Sequence, residues 1–286
     1  MIKITPFKVS TITATGRISS TVCLNTLFKE VQIISPDSTK DGIVYIQYGA
    51  RDASDAPTPV RGIKPVKPGK RKPVVVVPGA KKKRFDNQAT ILFQFYGEDG
   101  VRKTVNAKVF SNGSVQMTGL KHVDAGMRFL NYLTRCYGNG ELEVTAYNIN
   151  LINSDFNCGI EIRRDIMGRI LQEEYGVLCV FESCHYQGLK IQYFWNKDPA
   201  LQGPDDVPGM CNCSLPCYGK GTGRGDGECK KITMSVFQSG SIIITGANKM
   251  DQVQEAYEFI TRCVTENVDR IKHVQPMLPV RNNLLK

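Results

Sequence analysis

Hydrophobic and polar residues alternate along much of the chain, as they do in strands that have one buried and one exposed face. Between positions 103 and 110, for example, Val105, Ala107 and Val109 alternate with polar or charged side chains. The same alternation, or a short β-branched and aromatic run, predicts strands at 7–14, 43–48, 89–96, 103–110, 114–118, 147–156, 177–181, 189–195, 231–237 and 241–245. Short connections between consecutive strands indicate antiparallel pairing.

Four other segments place apolar residues three and four positions apart, which is the spacing of an amphipathic helix. These helices are predicted at about 24–31, 123–133, 165–174 and 251–271. The chain therefore runs twice through the order strand, helix, four strands, helix. This order predicts an α+β fold in which helices cover one face of an antiparallel sheet.

The element order repeats because the sequence itself contains an internal repeat. The segment 109–119 recurs 127 positions later as 236–246, with Phe, Gly, Ser and Thr-Gly in the same places. Between 103–136 and 230–263, 11 of 34 positions are identical and no gap is needed. Two copies of one unit predict a pseudo-twofold molecule, which suits a nearly twofold ligand such as duplex DNA.

The repeat also sets the predicted domain boundaries. The first repeat is expected at 1–138 and the second at 139–275, followed by a tail at 276–286. Two insertions interrupt the symmetry, a Pro/Lys-rich one at about 50–88 and a Gly/Pro/Cys-rich one at about 196–230. Both have the composition of loops.

One segment carries the whole excess of positive charge. The net charge is +10, and residues 61–84 contain ten basic side chains and no acidic one. Outside that segment 27 basic residues (37 minus 10) balance 27 acidic ones. A concentrated basic segment usually meets phosphate or an anionic surface. A DNA-contacting arm, a nuclear-import signal and a disordered loop all fit this composition.

The composition also bears on the compartment. No apolar run reaches the roughly 20 residues that a membrane span needs. The start of the chain does not resemble a signal peptide, because Thr5, Pro6 and Lys8 interrupt its apolar residues. We therefore expect an intracellular protein that is not secreted and does not enter a membrane, with its ten cysteines reduced or bound to metal.

Four of those cysteines cluster in the second insertion. Cys211, Cys213, Cys217 and Cys229 fall within 19 residues. Zinc binds four thiolates tetrahedrally, and such a site stabilises a loop that has no core of its own. One structural zinc ion is therefore the predicted cofactor, and four free cysteines in a flexible loop are the alternative.

The repeated motif Phe-x-x-Gly-x-[Val/Ile]-x-x-Thr-Gly, followed by a helix, resembles the core of the TATA-box-binding protein family. The resemblance covers nearly the whole chain apart from the two insertions. It implies a curved antiparallel saddle built of two repeats, with helices on the convex face and DNA on the concave face. In that family, paired aromatic side chains wedge between base steps and bend the duplex from its minor groove.

The resemblance implies which residues meet the DNA. Phe110 and Phe237 match the wedge at the end of the fourth strand of each repeat. Tyr186, in Tyr-Gln-Gly-Leu, stands at the second wedge of repeat two, and Phe85 is the candidate for the second wedge of repeat one. Further matches to groove-facing or phosphate-contacting positions are Thr118, Thr245, Val9 with Leu151 as its mate, and Lys121.

The sequence departs from the family on the same face, where Lys108 and Gln116 replace apolar residues and Ser235 replaces another. A more polar face weakens the prediction of TATA preference and leaves DNA binding intact, since phosphate contacts supply much of the affinity. The long insertions and diverged face are most like relatives carried by large DNA viruses.

The function expected from the resemblance is transcription initiation, with other initiation factors or an RNA polymerase as partners. The expected location is the site of transcription, which is the nucleus or, for a viral protein, the viral factory and virion. An architectural or DNA-compacting protein without promoter choice and a protein-interaction platform on the same fold remain alternatives. No catalytic pattern is present, and His122, His185 and His273 are scattered. We therefore do not expect an enzyme.

Overall fold

A computed structural model describes residues 2–48, 59–64, 87–137, 141–196, 208–211, 213, 217, 220–223 and 229–273. The chain divides into two compact units. We call residues 11–151 the first unit, and residues 1–10 together with 152–286 the second unit. The strand β1 (Lys8–Ile18) and the strand β7 (Val144–Asn157) each pass from one unit into the other.

The first unit contains antiparallel strands of the sheet and two helices. Its elements after β1 are α1 (Leu24–Glu30), β2 (Gly42–Gln47), β3 (Val60–Gly62), β4 (Gln88–Tyr96), β5 (Arg102–Phe110), β6 (Ser114–Leu120) and α2 (Ala125–Cys136). Neighbouring strands follow the order β3-β2-β4-β5-β6-β1, and their paired ladders are antiparallel.

The second unit repeats this plan. Its elements after β7 are α3 (Arg164–Glu173), β8 (Leu178–Val180), β9 (Leu189–Trp195), β10 (Lys230–Val236), β11 (Ser241–Ala247), α4 (Met250–Glu266) and α5 (Val268–Ile271). The strand order is β7-β11-β10-β9-β8, again with antiparallel ladders. The predicted α+β class, in which two repeats contribute antiparallel strands to a sheet with helices packed against it, is confirmed.

Strand alternation separates the two faces as the sequence predicts. On β5, Val105, Ala107 and Val109 are fully buried beneath the helices, whereas Asn106 and Lys108 point to the other side and are exposed. Aromatic rings join sheet to helix in both units, as in Phe93–Phe129, Phe93–Tyr132 and Tyr193–Phe259, with centroids 5.5, 4.9 and 5.1 Å apart. The face away from the helices is called the open face of each unit.

The two units also share a backbone device at the turn between their last two strands. Gly113 and Gly240 have φ of +80° and +78°, where a side chain is strained. The carbonyl of Gly113 accepts from Ile18 N–H at 3.0 Å, and that of Gly240 accepts from Cys158 N–H at 2.9 Å. A glycine is needed in both copies because the turn lies against the end of β1 or β7.

Part of the insertion that is predicted to be a loop belongs to the fold. Val60–Gly62 forms the edge strand β3 on β2, although the whole insertion at 50–88 is predicted to be a loop. The Arg61 guanidinium donates to the Phe28 and Lys29 carbonyls at 2.5 and 2.8 Å, at the end of α1. Arg61 is therefore a structural residue, although it is one of the ten basic residues of the charged segment. Most of that segment, and the tail at 276–286, lie outside the described residues.

No helix in the described part of the chain is long and apolar enough to cross a membrane.

Candidate nucleic-acid interface

The open face of the first unit carries a row of polar side chains across four strands. Lys108 on β5 lies directly opposite Thr90 on β4 and Gln116 on β6. Gln116 in turn lies opposite Thr15 on β1. Lys108 and Gln116 are both exposed. We call these four residues the first row. In it Lys108 and Gln116, the two residues that replace apolar ones of the family, lie side by side.

The matching row of the second unit is less polar at its centre. Ser235 on β10 lies opposite Lys190 on β9 and Ile243 on β11, and Ile243 lies opposite Asp155 on β7. Ser235 is only 6% exposed, whereas Ile243 is 37% exposed. The Asp155 carboxylate lies 3.5 Å from the Lys8 ammonium. In this second row an apolar side chain stands where the first row has an amide.

Two aromatic side chains meet at the end of β10, where the sequence predicts a pair of wedges. The rings of Tyr186 and Phe237 are edge to face with centroids 5.9 Å apart, a favourable geometry for two rings. Both residues are half-buried. The Lys190 ammonium lies 4.6 Å from the Tyr186 ring centre. A Cβ on Gly188 would come within 2.6 Å of the Tyr186 ring and 3.3 Å of the Phe237 ring.

The loop that presents Tyr186 is tied to the turn after β10 by Arg164 from α3. The Arg164 guanidinium donates to the Gln187 carbonyl and, at 3.2 Å, to the side-chain oxygen of Gln238. It also lies 4.8 Å from the Phe181 ring centre. The sequence prediction did not include Arg164, because its partners are 23 and 74 positions away and no local pattern marks them.

Phe110 takes the same place in the first unit. It ends β5 and is half-buried. The Gly113 N–H donates to the Phe110 carbonyl at 3.0 Å, as the Gly240 N–H donates to the Phe237 carbonyl at 3.0 Å. The predicted second wedge of this unit, Phe85, lies outside the described residues.

The predicted threonines lie on the open faces of their units. Thr118 is half-buried on β6 opposite Asn106. Thr245 is half-buried on β11, and its hydroxyl donates to the side-chain oxygen of Asn153 at 2.5 Å. Lys121 follows β6 and is exposed, as a phosphate-contacting lysine must be.

The strand register changes one expected equivalence between a residue of the first repeat and a residue of the second. Ile12 and Ile152 take matching places opposite the ends of β6 and β11. The residues that precede them, Thr11 and Leu151, are therefore equivalent, and Val9 is not the counterpart of Leu151. Val9, Thr11 and Leu151 are all half-buried.

The four cysteines predicted to bind metal converge. The sulfur atoms of Cys211, Cys213, Cys217 and Cys229 all lie within 4.8 Å of one another. Sγ–Sγ distances are 3.0 Å for 211–217, 3.4 Å for 211–229 and 3.6 Å for 217–229. A tetrahedral zinc site with Zn–S bonds of about 2.3 Å has sulfurs about 3.8 Å apart. The cluster could therefore hold a metal ion.

Backbone contacts fix this cluster to the sheet of the second unit. Gly209 forms a bridge with Phe194 on β9, and Thr222 forms one with Lys230 on β10. Cys229 immediately precedes β10 and is buried. Burial raises the pKa of the Cys229 thiol, so a metal must displace its proton in order to bind.

Comparisons with known proteins show which proteins this chain resembles. A family model described as "Transcription factor TFIID (or TATA-binding protein, TBP)" matches residues 227–267. A TATA-box-binding protein-like protein of Acanthamoeba polyphaga mimivirus is 27% identical over 299 aligned positions, covering 98% of this chain and 69% of that protein. Among solved structures, Methanococcus jannaschii TBP matches with 13% identity and a TM-score of 0.44, over 92% of this chain and 99% of that one. The resemblance inferred from the repeated motif is confirmed by the family model and the viral relative.

Proposed function

We propose that this chain, a diverged TATA-box-binding-protein-like protein, binds duplex DNA in the minor groove and bends it as a transcription-initiation factor. The observation that carries the proposal is the Tyr186–Phe237 pair at the end of a sheet whose other face is covered by helices. Unstacking a base step costs a few kcal/mol and needs an apolar wedge that does not itself move away. Ring contact with its neighbour and the ties made by Arg164 hold this pair in place.

Each unit contributes its open face to the contact. Half-buried threonines and strand-end aromatics offer a shallow surface that suits the floor of a minor groove, while Lys121 and the basic segment supply phosphate contacts. Other initiation factors or an RNA polymerase would bind elsewhere on the protein. The place of action would be the nucleus or, for a viral protein, the viral factory and virion.

The test replaces the wedges and measures bending. Phe110→Ala with Phe237→Ala is expected to keep the fold, since each side chain is only half-buried, and to reduce the bend angle sharply. Energy transfer between dyes at the two ends of a short duplex reports the angle. The matched control is Phe110→Leu with Phe237→Leu, because leucine also serves as a wedge.

The wedge assignment is wrong if the folded alanine variant bends DNA as the unchanged protein does. Circular dichroism and a thermal melt on the same preparations establish that the variant is folded. A leucine variant that fails as badly as the alanine variant would also count against wedging, since it keeps an apolar group at both strand ends.

An architectural protein without promoter choice is the second candidate, and the first row favours it. Lys108 and Gln116 place charge and an amide on the face that would meet the base edges. Selection from a pool of randomised duplexes separates the two candidates. Enrichment of A/T-rich sequences supports promoter recognition, and a pool that stays random supports an architectural role.

We further propose that the four-cysteine cluster holds one structural zinc ion. The donor set of four thiolates and the sulfur spacing fit zinc, and the loop is attached to β9 and β10 at its ends. Metal analysis of protein purified without chelator should find about one equivalent. Removing it should expose four thiols to alkylation and leave far-ultraviolet circular dichroism nearly unchanged, because each unit has its own buried core. Protein purified without chelator that contains no metal, and whose four thiols alkylate freely, would exclude the site.

A further inference from the structure

The two open faces share a backbone and differ in the chemistry at their centre. In the first unit the central cross-strand pair is Lys108 and Gln116. In the second unit the same pair of positions holds Ser235 and Ile243. Lys108 and Gln116 are exposed, Ser235 is almost completely buried, and Ile243 presents its side chain to the open face.

We propose that the two units tolerate different base pairs, so that the second unit requires A·T whereas the first also accepts G·C. This inference rests on the proposed minor-groove binding. It makes Gln116 and Ile243 specificity-determining residues and predicts a DNA site with one strict and one permissive half.

The physical reason lies in what each base pair shows in the minor groove. A·T and T·A show only acceptors there, whereas G·C adds the guanine N2 amino donor. A donor that is removed from water without an acceptor is strongly unfavourable. Ile243 has no acceptor, and the hydroxyl of Ser235 is recessed beneath the surface. The second unit therefore cannot pair the guanine amino group at this position.

The first unit supplies what the second lacks. The Gln116 side chain has an oxygen that can accept from the guanine amino group and an amino group that can donate to the acceptors of any base pair. Lys108, directly opposite on β5, adds a donor for the same acceptors. A G·C pair at this half can thus be satisfied as well as an A·T pair.

Other polar groups of the two rows leave the contrast in place. In the second row the Asp155 carboxylate lies on β7, beyond Ile243, and its ion-pair partner is Lys8. In the first row the Thr15 hydroxyl donates to the side-chain oxygen of Asn150 at 3.0 Å. The two central positions therefore set the difference between the rows.

The experiment moves a single G·C pair along an A·T-rich duplex and measures affinity at each position. For the unchanged protein, G·C in one half should weaken binding roughly 5- to 150-fold, the range for one unfavourable base pair. In the other half the loss should be less than about threefold, since Gln116 can pair the guanine amino group. Inosine opposite cytosine lacks the N2 amino group and should restore binding in the strict half.

Exchange variants assign the halves to the two units, whichever way round the protein lies on the duplex. Gln116→Ile should make the permissive half strict, and Ile243→Gln should make the strict half permissive. Gln32→Ile is the matched control, because Gln32 is exposed and lies in the loop after α1, away from the strands of the open face. It should leave both halves unchanged.

The outcomes separate this inference from the proposal beneath it. Failure to bind and bend an A·T-rich duplex would overturn the proposed function itself. Binding in which both halves reject G·C equally, or in which inosine does not restore affinity, would overturn only the inference. Exchange variants that leave both halves as they are would overturn it as well.

Discussion

The open faces of the two units have the same backbone conformation but different side chains at their centre. Gly113 and Gly240 adopt the same turn, and Val105–Val109 and Ile232–Val236 bury the same alternate residues. The central pair on the open side changes from lysine and glutamine to serine and isoleucine. Residues that face the helices are fixed by close packing, whereas the open-face residues need only suit what binds there. The two repeats are therefore alike in the residues that pack against the helices and different in the residues of the proposed DNA-binding surface.

The comparison of the two units requires that the glycine turn between their last two strands is structurally necessary in both. Gly113→Ala and Gly240→Ala should each destabilise the protein by about 2–5 kcal/mol, combining a left-handed side chain with overpacking. A Cβ there would collide with the carbonyl of Ser20 or Ile160. Urea unfolding measures the loss. Gly100→Ala is the control, since its φ is +68° but nothing lies within 4 Å, and it should cost only about 1–2 kcal/mol.

If either Gly113→Ala or Gly240→Ala proved as mild as Gly100→Ala, the two turns would not be equivalent. The description of one backbone with two surfaces would then lose its structural basis, and the difference between the central pairs could reflect a different register instead.

The two units also differ in the chemistry of their insertions. The first unit carries the basic segment and the second carries the cysteine cluster. Deleting 65–84 removes eight of the ten basic residues and spares Arg61, which holds β3 to α1. If half of the eight engage phosphate, the slope of log affinity against log salt should flatten by about 3–4 units, at about 0.9 per contact.

A salt titration with parallel thermal melts measures this effect. The control keeps the length of the segment and changes its lysines and arginines to glutamine, so that charge is separated from length. It should behave like the deletion. An unchanged slope would mean that the segment does not contact DNA, and a nuclear-import role would then be the better explanation. A large fall in melting temperature would mean that the segment belongs to the fold.

The sequence predicted the features that depend on local spacing. Alternation along β5 identified its buried face, and the repeated Thr-Gly motif placed Phe110 and Phe237 at equivalent strand ends. It did not predict β3, because that strand lies in an insertion with the composition of a loop and forms on the edge that β2 offers. Arg164 could not be found either, since its partners are brought together only by the folded chain.

The smallest expected effect concerns Lys190, the basic member of the second row. Its ammonium lies over the Tyr186 ring at 4.6 Å, and an exposed cation–π contact contributes about 0.5–1 kcal/mol. Lys190→Gln should therefore weaken DNA binding by about two- to fivefold and, if the ammonium also meets a phosphate, flatten the salt slope by about one unit. Lys272→Gln is the control, because Lys272 is an exposed lysine that follows α5. Equal effects of the two substitutions would show that Lys190 acts only through net charge. A larger effect confined to Lys190→Gln, accompanied by a smaller bend angle in the energy-transfer measurement, would show that the lysine holds the tyrosine in its wedging position.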